Sequence, residues 1–114
     1  MGFKENYEFN IRKMESNKIM NKYPSRLPII VEKSKNCQLN DIDKIKYLVP
    51  KDLNMNQFLY VIRKRIKLKP SESIFIMANN RLCPNNTTLY EIYEKSVDKD
   101  GFLYITYTSE NTFG

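Results

Sequence analysis

The chain has 114 residues, 41% hydrophobic and 28% charged, with only three glycines and five prolines, which suits one folded domain and excludes pervasive disorder. It contains no histidine and two distant cysteines, Cys37 and Cys83, so zinc-finger spacing, a Cys/His nucleophile pair and the commonest neutral-pH general base are all removed; no metal or other cofactor is expected. The net charge of +6 is uneven: residues 1–70 hold 16 basic and 7 acidic side chains, residues 71–114 hold 3 and 6, a polarity that could attract an anionic membrane, an acidic peptide or nucleic acid.

In chain order, the start Met1-Gly2-Phe3-Lys4-Glu5-Asn6 puts Asn where an N-myristoylation signal needs Ser or Thr. Between Phe9 and Tyr23, the residues Phe9, Ile11, Met14, Ile19, Met20 and Tyr23 make a loose helical stripe, which Tyr23-Pro24 ends and which should lie on a surface. Leu27-Pro28-Ile29-Ile30-Val31-Glu32 is short and nearly all apolar, as a central strand covered on both faces should be. Ser34 to Asp43 reads as polar loop, and Ile45 to Pro50 as a second strand whose closing proline suggests an edge.

Asn54 with Gln57 forms a capping box, and the spacing of Met55, Phe58, Leu59, Ile62 and Ile66 predicts an amphipathic helix over 55–68. Ile74 to Ala78 is a short strand, Asn79-Asn80-Arg81 a turn, and Thr88-x-x-Glu91 caps a short helix carrying Leu89, Ile92 and Tyr93. Phe102 to Thr108 alternates cleanly as the last strand, and Ser109 to Gly114 reads as a polar, mobile tail. No apolar stretch approaches the ~20 residues of a spanning helix and no signal peptide is evident, so any membrane link should be added covalently or borrowed from a partner.

This order predicts an α+β fold of the ubiquitin-like β-grasp type: a four-stranded mixed sheet, two core-packing helices, and an N-terminal helical extension on the opposite sheet face. Its divisions are a helical extension over 1–24, a β-grasp domain over 25–108 and a flexible tail over 109–114.

Specific words then go beyond pattern: Lys22-Tyr23-Pro24-Ser25-Arg26-Leu27-Pro28, Lys46-Tyr47-Leu48-Val49-Pro50, Ile62-Arg63-Lys64-Arg65-Ile66, Asp100-Gly101-Phe102-Leu103-Tyr104 and Glu110-Asn111-Thr112-Phe113-Gly114. From Phe9 to Gly114 the sequence resembles the autophagy ubiquitin-like modifiers, the family of autophagy-related protein eight, GABA-receptor-associated protein and microtubule-associated protein light chain three. The resemblance implies a substrate of a conjugation cascade and not an enzyme. Gly114 would be activated, passed through cysteine thioesters of activating and conjugating enzymes, and joined to the amine of phosphatidylethanolamine. A glycine suits this because it has no Cβ to obstruct a narrow active-site channel. A deconjugating cysteine protease would be a further partner. The protein should be a cytoplasmic monomer, on the autophagosome membrane when lipidated.

The resemblance also implies a groove for aromatic-x-x-aliphatic motifs in cargo receptors and autophagy proteins. Glu15, Ile19, Pro28, Lys46, Leu48 and Phe102 would hold the aromatic anchor; Tyr47, Val49, Pro50, Leu53, Phe58 and Val61 the aliphatic one. Arg26, Lys44, Lys46 and Arg65 would meet acidic residues flanking the motif. The motif would add as a strand beside residues 45–50. Within the long helix, Phe58, Val61 and Arg65 would face the groove and Leu59, Ile62 and Ile66 the core. Pattern alone reads Pro28, Leu48, Phe58 and Phe102 as ordinary core and Arg63-Lys64-Arg65 as a solvated face; only the resemblance assigns them to a groove.

The chain departs from the family at Asn56, where Gly is common, and at Met77-Ala78, where an aromatic-Val pair is common, so a site for ubiquitin-interacting helices is not carried over. Met14 and Met20 make the first helix less polar than in many relatives. Two other readings are an adaptor that binds motifs but is never conjugated, and a basic nucleic-acid-binding domain. The tyrosines lack the arrangement of a stacking platform, so no nucleic acid partner is expected.

Overall fold

Strand β1 (Arg26–Lys33) lies at the centre of the fold, as its apolar run requires. The computed structural model describes residues 2–35 and 37–109. β1 pairs antiparallel with β2 (Lys46–Pro50) and parallel with β5 (Leu103–Thr108). Beyond β5 come β3 (Phe75–Ala78) and β4 (Arg81–Leu82), so the order is β2-β1-β5-β3-β4.

The sheet therefore has five strands where the sequence predicts four. Asn79 and Asn80 take φ of 52° and 63°, left-handed values that asparagine tolerates. Two such residues in succession make a hairpin whose twist matches the sheet, and they fold Arg81 and Leu82 back against Ala78 and Met77. The extra strand is two residues long and exposed on both, too short for alternation to show.

Helix α3 (Met55–Arg65) starts on the expected cap: the Asn54 side chain accepts from the Gln57 N–H at 2.9 Å, and the Gln57 side chain accepts from the Asn54 N–H at 3.0 Å. It ends three residues earlier than predicted because Lys67 enters the left-handed region (φ 57°) and the Leu68 N–H reaches back to the Arg63 carbonyl at 3.0 Å. Met55, Phe58, Ile62 and Ile66 form its buried stripe, packed in one cluster with Leu27, Ile29, Val31, Leu103, Ile105 and Tyr107. Phe58 thus faces the core, which corrects its predicted place on the groove flank, while Leu59, partly buried, packs against that same core with Ile62 and Ile66. The reason is geometric: 55, 58, 62 and 66 are spaced by three and four, and this set carries the larger apolar side chains. Helix α4 (Leu89–Ser96), capped by Thr88, adds Leu89 and Ile92 to the same core.

The other sheet face carries α1 (Phe3–Asn6) and α2 (Phe9–Lys22). The sequence predicts the second and not the first, which is a single turn held by tertiary contacts. α2 docks through polar residues. Its buried members are Arg12 and Ser16, while Phe9, Ile11 and Met14 point outward, Met14 with 71% of its surface exposed. The Arg12 guanidinium meets the buried Asp100 carboxylate at 2.5 Å, and the Ser16 hydroxyl donates to the Asp100 carbonyl at 2.5 Å. Gly101 makes this approach possible: it adopts φ 91°, and a Cβ there would collide with the Ser16 side chain.

Candidate functional site

The structure leaves one long edge of the sheet open, and it is the edge made by β2. The Val31 N–H donates to the Ile45 carbonyl at 2.8 Å, which fixes the phase of the antiparallel ladder. With Ile29 opposite Tyr47 and Leu27 opposite Val49, the odd-numbered residues of β2 exchange hydrogen bonds with β1. Lys46 and Leu48 therefore turn their N–H and C=O groups away from the sheet. Pro50, which has no N–H, also stands on this outward phase and costs the ladder nothing. Pro28 sits opposite Leu48, one residue before the parallel pairing with β5 begins at Ile29, so its missing N–H is not needed either.

Side chains alternate with the same period. Lys46, Leu48 and Pro50 share the face that carries α2; Tyr47 and Val49 point to the α3 core, where Tyr47 and Phe58 meet edge to face at 5.6 Å between ring centroids. Of the residues assigned to the aromatic anchor, Glu15 and Lys46 form an ion pair between α2 and β2. Pro28 is buried opposite half-buried Leu48, and Ile19 packs against a small cluster containing Phe102. The six stand on α2, β1, β2 and the residue just before β5, on the sheet face that carries α2.

The residues assigned to the aliphatic anchor are less uniform. Tyr47, Val49 and Phe58 are buried, Leu53 is partly buried against the same core, and Val61 and Pro50 are exposed. The Tyr47 hydroxyl is buried with no hydrogen-bond partner among the described residues, and burial raises its pKa.

Cations surround this edge. The Arg26 guanidinium donates to the outward Leu48 carbonyl at 3.2 Å, Lys44 lies 5.2 Å from the centroid of the Tyr47 ring, and Arg65 pairs at 3.4 Å with Asp43, exposed on both sides. Gly114 lies outside the described residues, as does the rest of the tail after Ser109. Among the described residues no group of His, Cys, Asp and Glu could hold a metal ion, and no helix is long and apolar enough to cross a membrane.

Sequence reasoning missed Phe3 and Asp100. Phe3 is 3% exposed and packed on Phe102; Asp100 accepts from Arg12, Tyr104 and the Phe102 N–H. An isolated Phe in a polar leader carries no periodic signal, and a buried aspartate in a loop shows nothing in sequence beyond its neighbouring glycine.

Residues 11–114 match the model of a family described as autophagy protein Atg8, ubiquitin like. Over 112 residues, 98% of this chain, the sequence is 53% identical to Autophagy-related protein 8e of Arabidopsis thaliana, covering 92% of that protein. It is 51% identical over the same length to Autophagy-related protein 8 of Saccharomyces cerevisiae, covering 96%. The crystal structure of Trypanosoma brucei ATG8 superposes with a TM-score of 0.91 at 38% identity, covering all of this chain and 98% of that one.

Proposed function

The chain belongs to the Atg8 family of ubiquitin-like autophagy proteins, and from that premise we propose that it is a modifier conjugated through Gly114 to phosphatidylethanolamine, which recruits partners carrying aromatic-x-x-aliphatic motifs to the autophagosome membrane. The observation that carries the reading is the open β2 edge: Lys46 and Leu48 turn backbone donors and acceptors outward between an α2-side cluster and an α3-side cluster. An extended peptide can continue the sheet there, its backbone fixing register and its alternate side chains reaching the two flanks. Arg26, Lys44, Lys46 and Arg65 supply the charge that draws in an acidic flank, an effect on encounter rate more than on affinity.

Conjugation divides between chain and cascade. The chain supplies a glycine carboxylate that can be activated; the activating and conjugating enzymes, a deconjugating cysteine protease and the lipid amine supply the rest. In this reading the chain has no catalytic role. The test is reconstitution with the family's activating and conjugating enzymes, ATP and phosphatidylethanolamine vesicles. Wild type should shift to a lipidated species and Gly114→Ala should not. Equal modification of both, or of neither, would defeat the conjugation reading. The adaptor reading without conjugation would survive only if motif peptides bound while wild type stayed unmodified.

A further inference from the structure

Phe102 has no exposed surface, although it belongs to the set assigned to the aromatic anchor. Part of what covers it is the chain's own N-terminal segment. The Phe3 ring stands edge-on to Phe102, centroids 5.2 Å apart at 71°, in a buried cluster with Ile30 that Ile19 and Tyr104 flank. The Lys46 ammonium lies 5.6 Å from the centroid of the Phe3 ring and is at the same time paired with Glu15. Phe3 therefore occupies the surroundings of Ile19, Lys46 and Phe102, three of the six residues of the anchor site.

We propose that Phe3 is an internal occupant of the aromatic-anchor site, so that an incoming aromatic ring reaches Phe102 only as α1 lifts away. The inference rests on the groove reading above and names a regulation of that same site: motif binding and release of the N-terminal turn are one coupled event.

The attachment of α1 suits displacement. A single turn of helix has no stability of its own. It is held by burial of the Phe3 ring, by the Phe3 N–H donating to the Glu32 carboxylate at 2.7 Å, and by Lys4 on Asp98 at 2.5 Å. The Lys4 side chain is about half exposed, so salt screens that pair. Tyr7, which follows α1, is extended at φ −136° and ψ 135°, and forms a joint between the two helices. α2 keeps its own anchorage through Arg12 and Ser16 on Asp100, so α1 can leave without it. The exchange places one aromatic ring where another was, so the ligand's ring restores the apolar packing that Phe3 gives up. Apparent affinity is then reduced by the fraction of molecules whose site is vacant.

The test uses the full chain and a fluorescent peptide of the aromatic-x-x-aliphatic type, titrated into wild type, Phe3→Ala and Lys4→Glu. Lys4→Glu sets a carboxylate against Asp98 and loosens α1 while leaving every groove residue in place. We expect Phe3→Ala to bind about tenfold more tightly than wild type and Lys4→Glu severalfold more tightly. In wild type, peptide should move the Phe3 and Lys4 amide resonances to random-coil positions. If wild type binds the peptide with those resonances unmoved, and Phe3→Ala binds equally or more weakly, Phe3 is a wall of the pocket and the inference is wrong while the groove reading stands. Failure of all three proteins to bind would remove the groove reading and this inference together.

Discussion

The Arg12 guanidinium and the Asp100 carboxylate meet at 2.5 Å across 88 positions of the chain, one from the N-terminal helix and the other from the loop before the last strand, both almost fully buried. Asp100 also accepts from the Tyr104 hydroxyl at 2.5 Å and from the Phe102 N–H at 2.8 Å. The cluster sets where α2 lies on the sheet, and with it Glu15 beside Lys46 and Ile19 beside the Phe102 cluster. Removing one partner strands the other charge in a dry site. Arg12→Ala and Asp100→Ala should each lower unfolding free energy by about 3 to 5 kcal/mol, measured by urea denaturation. A loss below about 1 kcal/mol in both would mean that α2 is held by something else.

Tyr47 offers a contrasting case. Its ring fills the core against Phe58, yet its buried hydroxyl is unpartnered among the described residues. Tyr47→Phe keeps the ring and removes the unsatisfied group, so it should leave stability unchanged or raise it by up to about 1 kcal/mol. Tyr47→Ala should cost about 3 to 5 kcal/mol through the cavity it leaves. Parallel urea titrations decide this, and a clear loss of stability in Tyr47→Phe would show that the hydroxyl has a partner in solution.

Much of this architecture is legible in sequence because hydrophobic periodicity and local capping report it directly. The stripe from Met55 to Ile66, the Asn54 and Thr88 caps and the alternation from Leu103 onward each restate a local rule. What stayed hidden depends on partners distant in the chain. α2 buries Arg12 and Ser16 and exposes Met14, an inversion that no single-helix pattern can show, because the deciding residue is Asp100. Phe3 is buried only because Ile30 and Phe102 meet on the sheet face above which it sits. Likewise the edge position of β2 follows from pairing order, while the proline that closes it gives just a hint.

The two faces of β2 make a mutational separation possible. Leu48 is half-buried on the α2 face of an edge strand, whereas Tyr47 and Val49 belong to the main core. Leu48→Ala should therefore weaken binding of an aromatic-x-x-aliphatic peptide by about tenfold or more, as loss of a central apolar contact does, while costing about 1 kcal/mol or less of stability. Lys46→Glu should slow association most at low salt by reversing charge beside the motif. Titration of both variants, with circular dichroism to verify folding, checks this. Unaltered peptide affinity in Leu48→Ala would place the ligand elsewhere.

Alkaline pH should unfold the protein through its buried acids. Burial pushes the Cys83 thiol up from 9.0 to about 11 and the Tyr107 phenol up from 10.0 to about 12, and raises Tyr47 and Tyr104 as well. In each case the folded state favours the protonated form. The stability this gives is fully present below the unfolded pKa and is lost as pH rises through the folded one. The urea midpoint should thus hold level from pH 7 to about 8.5 and fall between about pH 9 and 12. A variant separates the thiol from the buried phenols. Cys83→Ala should lose less stability than wild type between about pH 9 and 11 and run parallel to it elsewhere. Alkylation of Cys83 in the native protein should also accelerate up to about pH 11 and not level off near 9. A wild-type curve matching Cys83→Ala at every pH would show that the thiol titrates as freely folded as unfolded.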